Sequence, residues 1–179
     1  MQKIVKPLLM SAAAILFSCA SAAQLPVKMS EAADELKRKC QDHTEVSVRG
    51  EELVVTLKEV SGTGGFDGQF SIDLKKFSGS TFTFMIDVKS DKLSGYRSKV
   101  PQTLGKVYFN TASQFIHSGR IGWNTLVFRR LKVPGNGLVK LRIELKNFNG
   151  EVSFRDPRIK GDFPKQDSGT KKKKKKDKK

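Results

Sequence analysis

The strongest constraint on the fold of this chain is an alternation of apolar and polar residues with a period of two. Its clearest case is the stretch 139–146, which reads VKLRIELK, and the same period recurs over 46–49, 70–75 and 82–89. Side chains of a strand point alternately to the two faces of a sheet, so this pattern predicts strands with one buried face and one solvated face. Antiparallel sheets are typical of such strands. Glycine-rich turns separate the strands, and together they predict an all-β fold, an antiparallel β-sandwich.

One short helix is predicted before the strands, over Ser30–Cys40. Ser30 is a good N-cap residue, and acidic residues come early and basic residues late, as the helix dipole prefers. Ala33, Leu36 and Cys40 fall on one helical face. Cys40 is the one cysteine left if Cys19 is removed with the N-terminus, so an internal disulfide is not expected. Whether Cys40 stays free or pairs between chains is open.

The first 23 residues have the layout of a secretory signal peptide. A short basic start precedes the apolar run Pro7–Phe17, and the small residues 21–23 offer a cleavage site. The apolar run has about half the ~20 residues of a membrane span, so no transmembrane segment is expected. We therefore expect a secreted or periplasmic protein. The sequence 16–19 (LFSC) resembles a bacterial lipobox, so lipid anchoring through Cys19 is the alternative.

The charge of the chain is concentrated at its C-terminus. The formal net charge is +16, and residues 171–179 are eight lysines and one aspartate. Like charges repel and nothing apolar is available to bury, which predicts a disordered tail over 164–179. The tail either aids solubility alone or binds an anionic surface polymer. A dedicated nucleic-acid partner is not expected, because no recognition motif accompanies the charge.

The chain is expected to form one folded domain between two terminal segments. The stretch 89–106 within it lacks a clear period and is predicted to be a long loop with a turn at Ser94–Gly95. The expected divisions are a signal peptide (1–23), an N-terminal segment with the short helix (24–43), the β-sandwich (44–163) and the tail (164–179).

Three segments in the sandwich resemble one family. GWNTLVFRRLKVP (122–134) and GLVKLRIELKNFNGEVSFRDPRI (137–159) resemble the closing strands of carbohydrate-binding modules with the galactose-binding-like jelly roll. STFTFMIDVKSD (80–91) looks like an earlier strand of the same family. The resemblance implies a jelly-roll sandwich, a glycan or polysaccharide as partner, and a core position for Trp123.

A structural calcium ion is common in this family, and acidic residues near the last strand often help to bind it. Family members often carry two adjacent acids there, whereas this chain has Arg155 and Asp156. Calcium needs six or more oxygen ligands, and an arginine beside the site opposes a cation. We therefore expect neither a metal site nor any other cofactor.

Sugars are recognised by flat aromatic rings together with planar polar groups that bond their hydroxyls. The chain has one Trp and two Tyr, and the segments that the alternation leaves in loops or on the outward side of a strand supply the candidates. The predicted glycan-binding residues are Tyr96, Arg97, Tyr108, Asn110, Phe115, His117 and Arg120.

Signals for catalysis are weak. The chain has no Gly-x-Ser-x-Gly motif and no phosphate-binding loop. The sequence gives no pairing for the two carboxylates that a glycosidase needs. We expect a secreted, non-catalytic carbohydrate-binding module that recognises glycan at or near the cell surface. The alternative is a structural or adhesive envelope protein whose sandwich is a scaffold for protein contacts.

Overall fold

The computed structural model describes residues 23–24, 29–38, 43–59, 64–95 and 100–161. They form two antiparallel sheets packed face to face, with one α-helix, so the predicted all-β sandwich is confirmed. In chain order the elements are β1 (Ala23–Gln24), α1 (Met29–Lys37), β2 (Thr44–Arg49), β3 (Glu52–Leu57), β4 (Gly65–Asp73), a 3-10 helix (Lys75–Phe77), β5 (Thr81–Gly95), β6 (Thr103–Phe109), β7 (Ala112–His117), β8 (Asn124–Lys132), β9 (Leu138–Lys146) and β10 (Phe148–Gly161).

The two sheets differ in size. The six-stranded sheet has the order β2-β3-β10-β5-β8, and β1 pairs with β10 beyond the end of β3. The four-stranded sheet has the order β4-β9-β6-β7. Every strand pair is antiparallel, and most neighbours in the sheets are distant in sequence. Most contacts that hold the fold are therefore long-range.

A cluster of phenylalanines joins the two sheets. Phe109 from β6 lies 4.4 Å from Phe84 of β5 and 6.2 Å from Phe128 of β8, measured between ring centroids. All three are buried, and the rings are tilted relative to one another, which is a favourable arrangement for aromatic pairs. The inward side chains of β9 complete this core, as their alternation predicts.

Helix α1 covers one edge of the sandwich, where it packs near β2, β3 and β4. It begins at Met29, one residue before the predicted cap Ser30, and ends at Lys37, so the predicted span to Cys40 was too long. Met29 extends the apolar face by one turn, and Leu36 is fully buried. Leu36 packs over Gly68 so closely that a Cβ there would lie 2.6 Å from its Cδ2.

The predicted long loop over 89–106 was wrong at both ends, because residues 89–95 belong to β5 and β6 already begins at Thr103. Strand β5 continues to Gly95 and stays paired with β10 as far as Phe148. The alternation fails there because the pairing contains a bulge, where Lys92 has a φ of 53° and Gly150 a φ of 136°. Such an irregularity shifts the phase of the side chains, so the sequence pattern breaks although the strand does not.

Several expectations fall outside the described residues. They are the signal sequence over 1–22, the lipid-anchor alternative at Cys19, the state of Cys40, and the lysine-rich tail. Within the described part of the chain, none of the helices has the length and apolar character needed to span a bilayer.

Candidate functional site

The outer face of the four-stranded sheet carries polar and aromatic side chains that contact one another. Strand β9 supplies its centre. Because the apolar residues of 139–145 point into the core, Lys140, Arg142, Glu144 and Lys146 point outward.

The register of the four strands aligns these side chains in two rows across the sheet. In the first row Asp67 lies opposite Glu144, Glu144 opposite Lys106, and Lys106 opposite Phe115. In the second row, Arg142 lies between Gln69 and Tyr108, and Ser113 follows on β7. We call the outward residues of these two rows, with Lys146, the four-stranded face.

A bidentate ion pair fixes the centre of this face. The Nε of Arg142 donates to Oδ1 of Asp67 at 2.7 Å, and its Nη2 donates to Oδ2 at 2.6 Å. The hydrogen bonds to Asp67 raise the pKa of Arg142. The guanidinium also lies over the Tyr108 ring, with its Cζ 5.1 Å from the ring centroid. Arg142 is thus held in one plane by a carboxylate on one side and an aromatic ring on the other.

Glu144 is the second anchored carboxylate of the face. It accepts hydrogen bonds from Lys146 and from the Tyr108 hydroxyl, the latter at 3.0 Å, and Arg142 lies 3.5 Å from it. The hydrogen bond from Lys146 is the main cause that lowers the pKa of the Glu144 carboxyl. Burial and the hydrogen bond to Glu144 raise the pKa of the Tyr108 hydroxyl. Glu144 is therefore an ionised acceptor, and Tyr108 keeps its proton.

Phe115 is the exposed ring of the face, with 48% of its surface accessible. The Nζ of Lys106 lies 4.6 Å from its ring centroid, a cation–π distance. The His117 ring lies 6.1 Å away on the same strand. An apolar ring is thus presented to solvent beside a cation.

Two depressions flank β9 on this face. One, of about 220 Å³, is lined by Lys106, Phe115, Glu144 and Lys146 among others. The other, of about 350 Å³, lies on the β4 side, beside Asp67, Glu144 and Lys146.

Each depression is bordered by a glycine that lies close to the backbone of β9. A Cβ at Gly105 would lie 1.9 Å from the carbonyl oxygen of Glu144, and one at Gly65 would lie 2.1 Å from that of Leu145. No side chain fits at either position. Glu144 and Lys146 border both depressions.

Three of the predicted site residues come together here: Tyr108, Phe115 and His117. Asn110 lies in the turn between β6 and β7, where its Oδ1 accepts the backbone N–H of Lys140 at 3.0 Å. Arg120 lies in the loop after β7 and lines a small cavity with Phe115 and His117. Tyr96 and Arg97 lie outside the described residues.

Sequence reasoning missed the polar half of the face, namely Asp67, Lys106, Arg142 and Glu144. Their outward direction follows from the alternation alone. Their meeting does not, because it depends on the order β4-β9-β6-β7, which pairs strands far apart in the chain.

The expected core position of Trp123 was wrong. Trp123 is half-buried immediately before β8, and the guanidinium carbon of Arg155 lies 3.9 Å from its ring centroid. Arg155 thus stacks on an aromatic ring on the outer side of the six-stranded sheet. Among the described residues, no three histidines, cysteines or acids are grouped in a way that could hold a metal ion.

No protein-family model and no curated protein matches this sequence. Solved structures with a similar fold include a family 4 carbohydrate-binding module, 17% identical over 66% of this chain and 78% of its own, with a TM-score of 0.42. A family 61 module in complex with β-1,4-galactotriose is 12% identical over 67% and 83%, with a TM-score of 0.45. A family 29 module from Piromyces equi is 12% identical over 68% and 77%, with a TM-score of 0.37.

Proposed function

We propose that this protein is a non-catalytic glycan-binding module whose ligand lies on the four-stranded face. The observation that carries the proposal is that one open surface holds both the exposed Phe115 ring, with Lys106 next to it, and the fixed polar groups of Arg142 and Asp67. A sugar offers an apolar C–H face and a rim of hydroxyls, and this surface offers a partner for each.

The polar groups are held before any ligand arrives. Arg142 is fixed by Asp67 and Tyr108, and Glu144 by Lys146 and Tyr108. Groups that are already ordered lose little conformational entropy on binding, which favours affinity for a ligand with many hydroxyls. The two depressions lie on an open face rather than in an enclosed cavity, which suits a polymer that extends across the sheet.

The state of Glu144 supports binding rather than catalysis. A glycosidase needs a carboxylic acid whose pKa is raised so that it can protonate the leaving oxygen. The pKa of Glu144 is lowered instead, and Asp67 beside it is bound by Arg142. Neither group is arranged as a proton donor.

The location of the function is part of the proposal. The signal-like N-terminus supports export, and binding at or near the cell surface would follow. Intact-mass measurement of the protein recovered from producing cells tests this. Simple secretion gives a chain that begins near Gln24. A chain that begins at a lipid-modified Cys19 would show instead that the protein is a lipoprotein.

Glycan binding is tested with the full chain on a panel of polysaccharides, comparing wild type with Phe115→Ala. Leu138→Ala is the matched control, because Leu138 is also 48% exposed and lies on β9. It is six residues from Glu144, or about 20 Å along the strand. We expect Phe115→Ala to weaken retention about tenfold or more, as loss of a stacking ring does. Retention of no polysaccharide would instead favour the scaffold role of the sandwich.

A further inference from the structure

We infer that the glycan bound by the four-stranded face is acidic, with carboxylate or sulfate groups on its sugars. This inference rests on the proposed function and names its ligand class. It follows from which charges of the face are already paired and which are not.

The two carboxylates at the centre of the face are already bound. Asp67 accepts both hydrogen bonds of the Arg142 fork. Glu144 accepts from Lys146 and Tyr108 and lies 3.5 Å from Arg142. Each carboxylate is therefore already paired with cationic side chains of the protein, and neither one requires a cationic ligand.

Lys106 is the cation left over. It lies directly opposite Glu144 in the strand register, the position from which a lysine ordinarily pairs with a carboxylate across a sheet. Its Nζ lies over the Phe115 ring instead, 4.6 Å from the centroid. Among the residues that the structure describes, Lys106 forms no ion pair, since Lys146 is the lysine bound to Glu144.

The position of Lys106 allows its ammonium group to bind the glycan. It lines the 220 Å³ depression together with Phe115, Glu144 and Lys146. The aromatic ring holds the ammonium at the wall of this depression while leaving hydrogen-bond donors for a ligand. A sugar that packs on Phe115 brings its substituents within reach of that ammonium.

A second cation extends the same pattern along the face. Lys140 points outward from β9, and within the described part of the chain it forms no ion pair either. It is four residues from Glu144, or about 14 Å along the strand. One acidic group could bind at Lys106 and a later one on the same polymer at Lys140, which favours a repeating acidic chain over a single charged sugar.

The experiment compares polymers that share a backbone and differ in charge. Polygalacturonate is compared with its fully methyl-esterified form, and dextran sulfate with dextran, so that the two arms separate carboxylate from sulfate. Binding is measured by calorimetry at fixed ionic strength. The protein is the full chain with lysines 171–176 replaced by glutamine, because the tail would otherwise attract any polyanion.

The variants are Lys106→Gln, Phe115→Ala and the control Lys160→Gln. Lys160 is an exposed lysine of β10 in the six-stranded sheet, so its loss changes the net charge equally. We expect an acidic polymer of at least one arm to bind more tightly than its neutral form. Lys106→Gln should lower that affinity about tenfold, the size of one charged hydrogen bond, and Lys160→Gln should leave it unchanged.

Each other result has a definite meaning. Equal binding of acidic and neutral forms, with both weakened by Phe115→Ala, would overturn the acidic ligand and keep the proposed function. Equal losses in Lys106→Gln and Lys160→Gln would show diffuse charge attraction and overturn the inference for this face. Binding of no polymer in either arm or in the wider panel would remove the proposed function and the inference together.

Discussion

Arg142 of β9 lies opposite Gln69 of β4 in the strand register, yet its guanidinium binds Asp67, which lies two residues before Gln69 on β4. The bidentate pair therefore runs diagonally across β4 and β9 and joins the two rows of the four-stranded face. Both side chains are partly exposed, at 41% and 55%. At that exposure an ion pair contributes little to stability, so its main effect is to fix the plane of the guanidinium.

Arg142→Lys should therefore impair binding far more than folding. Lysine keeps the charge but cannot form the planar fork or lie flat over the Tyr108 ring. We expect affinity for a retained glycan to fall about tenfold, while the free energy of unfolding changes by less than about 1 kcal/mol. Calorimetry and urea unfolding measure the two quantities. A loss of stability as large as the loss of binding energy would contradict this reading of the pair.

Gly105→Ala should damage the face by a different route. A Cβ there would lie 1.9 Å from the carbonyl oxygen of Glu144, so β6 would have to move away from β9. We expect lower thermal stability and loss of glycan binding, because Lys106 and Tyr108 lie on the displaced strand. Gly119→Ala is the matched control, since no atom lies within 4 Å of a Cβ at that loop position. Similar melting temperatures for the two variants would show that the strand adapts without cost.

Alanine substitutions of two phenylalanines on neighbouring strands should have opposite effects, one mainly on stability and the other mainly on glycan binding. Phe109 is buried against Phe84 and Phe128, and Phe109→Ala should lower the free energy of unfolding by about 3–5 kcal/mol. Phe115 is half-exposed, and Phe115→Ala should cost far less stability while weakening binding. Urea unfolding of both variants makes the comparison. A large loss of stability in Phe115→Ala would mean that its ring supports the sheet rather than the ligand.

The fold could be predicted from the sequence because the alternation is a local property of each strand. Residues 139–146 show this directly, since every inward and outward side chain of β9 follows the pattern. The prediction was wrong where an irregularity interrupts the sequence pattern without ending the strand. At Lys92 a bulge shifts the phase within a continuous strand, and the period was lost.

The candidate site could be predicted only in part, for the same reason. Tyr108 and Phe115 were predicted as ligand-binding aromatic residues, and both lie on one face. Asp67 lies about 40 residues before Tyr108 in the chain, and its partner Arg142 lies about 30 residues after Tyr108. The sequence holds no signal of which strands become neighbours. The prediction for Trp123 was wrong for another reason. The sequence pattern around Trp123 is the same whether its ring lies in the core or stacks on Arg155 outside the core.

Glu151 on the six-stranded sheet should set part of the acid sensitivity of the fold. Its side chain is 13% exposed and accepts hydrogen bonds from Arg49 at 2.7 and 3.2 Å and from Lys92 at 3.2 Å. The hydrogen bonds from Arg49 are the main cause that lowers the pKa of Glu151 from 4.5 to about 2. A carboxylate with a lowered pKa in the folded state stabilises the fold above its unfolded value, and this contribution is lost as the pH falls from 4.5 towards 2.

Glu151→Gln removes the titrating group and should flatten that part of the stability profile. Arg49 is 54% exposed, so solvent screening limits the contribution to the order of 1 kcal/mol. Urea unfolding at pH 7, 5, 4.5 and 2.5 should show little change between pH 7 and 5, and wild type should lose its advantage over Glu151→Gln as the pH falls further. Glu45→Gln is the matched control, because Glu45 pairs with Lys58 on the same sheet but both side chains are well exposed, at 58% and 66%. If the two variants gave the same pH profile, the acid sensitivity would come from the general charge of the protein and not from the Arg49–Glu151 pair.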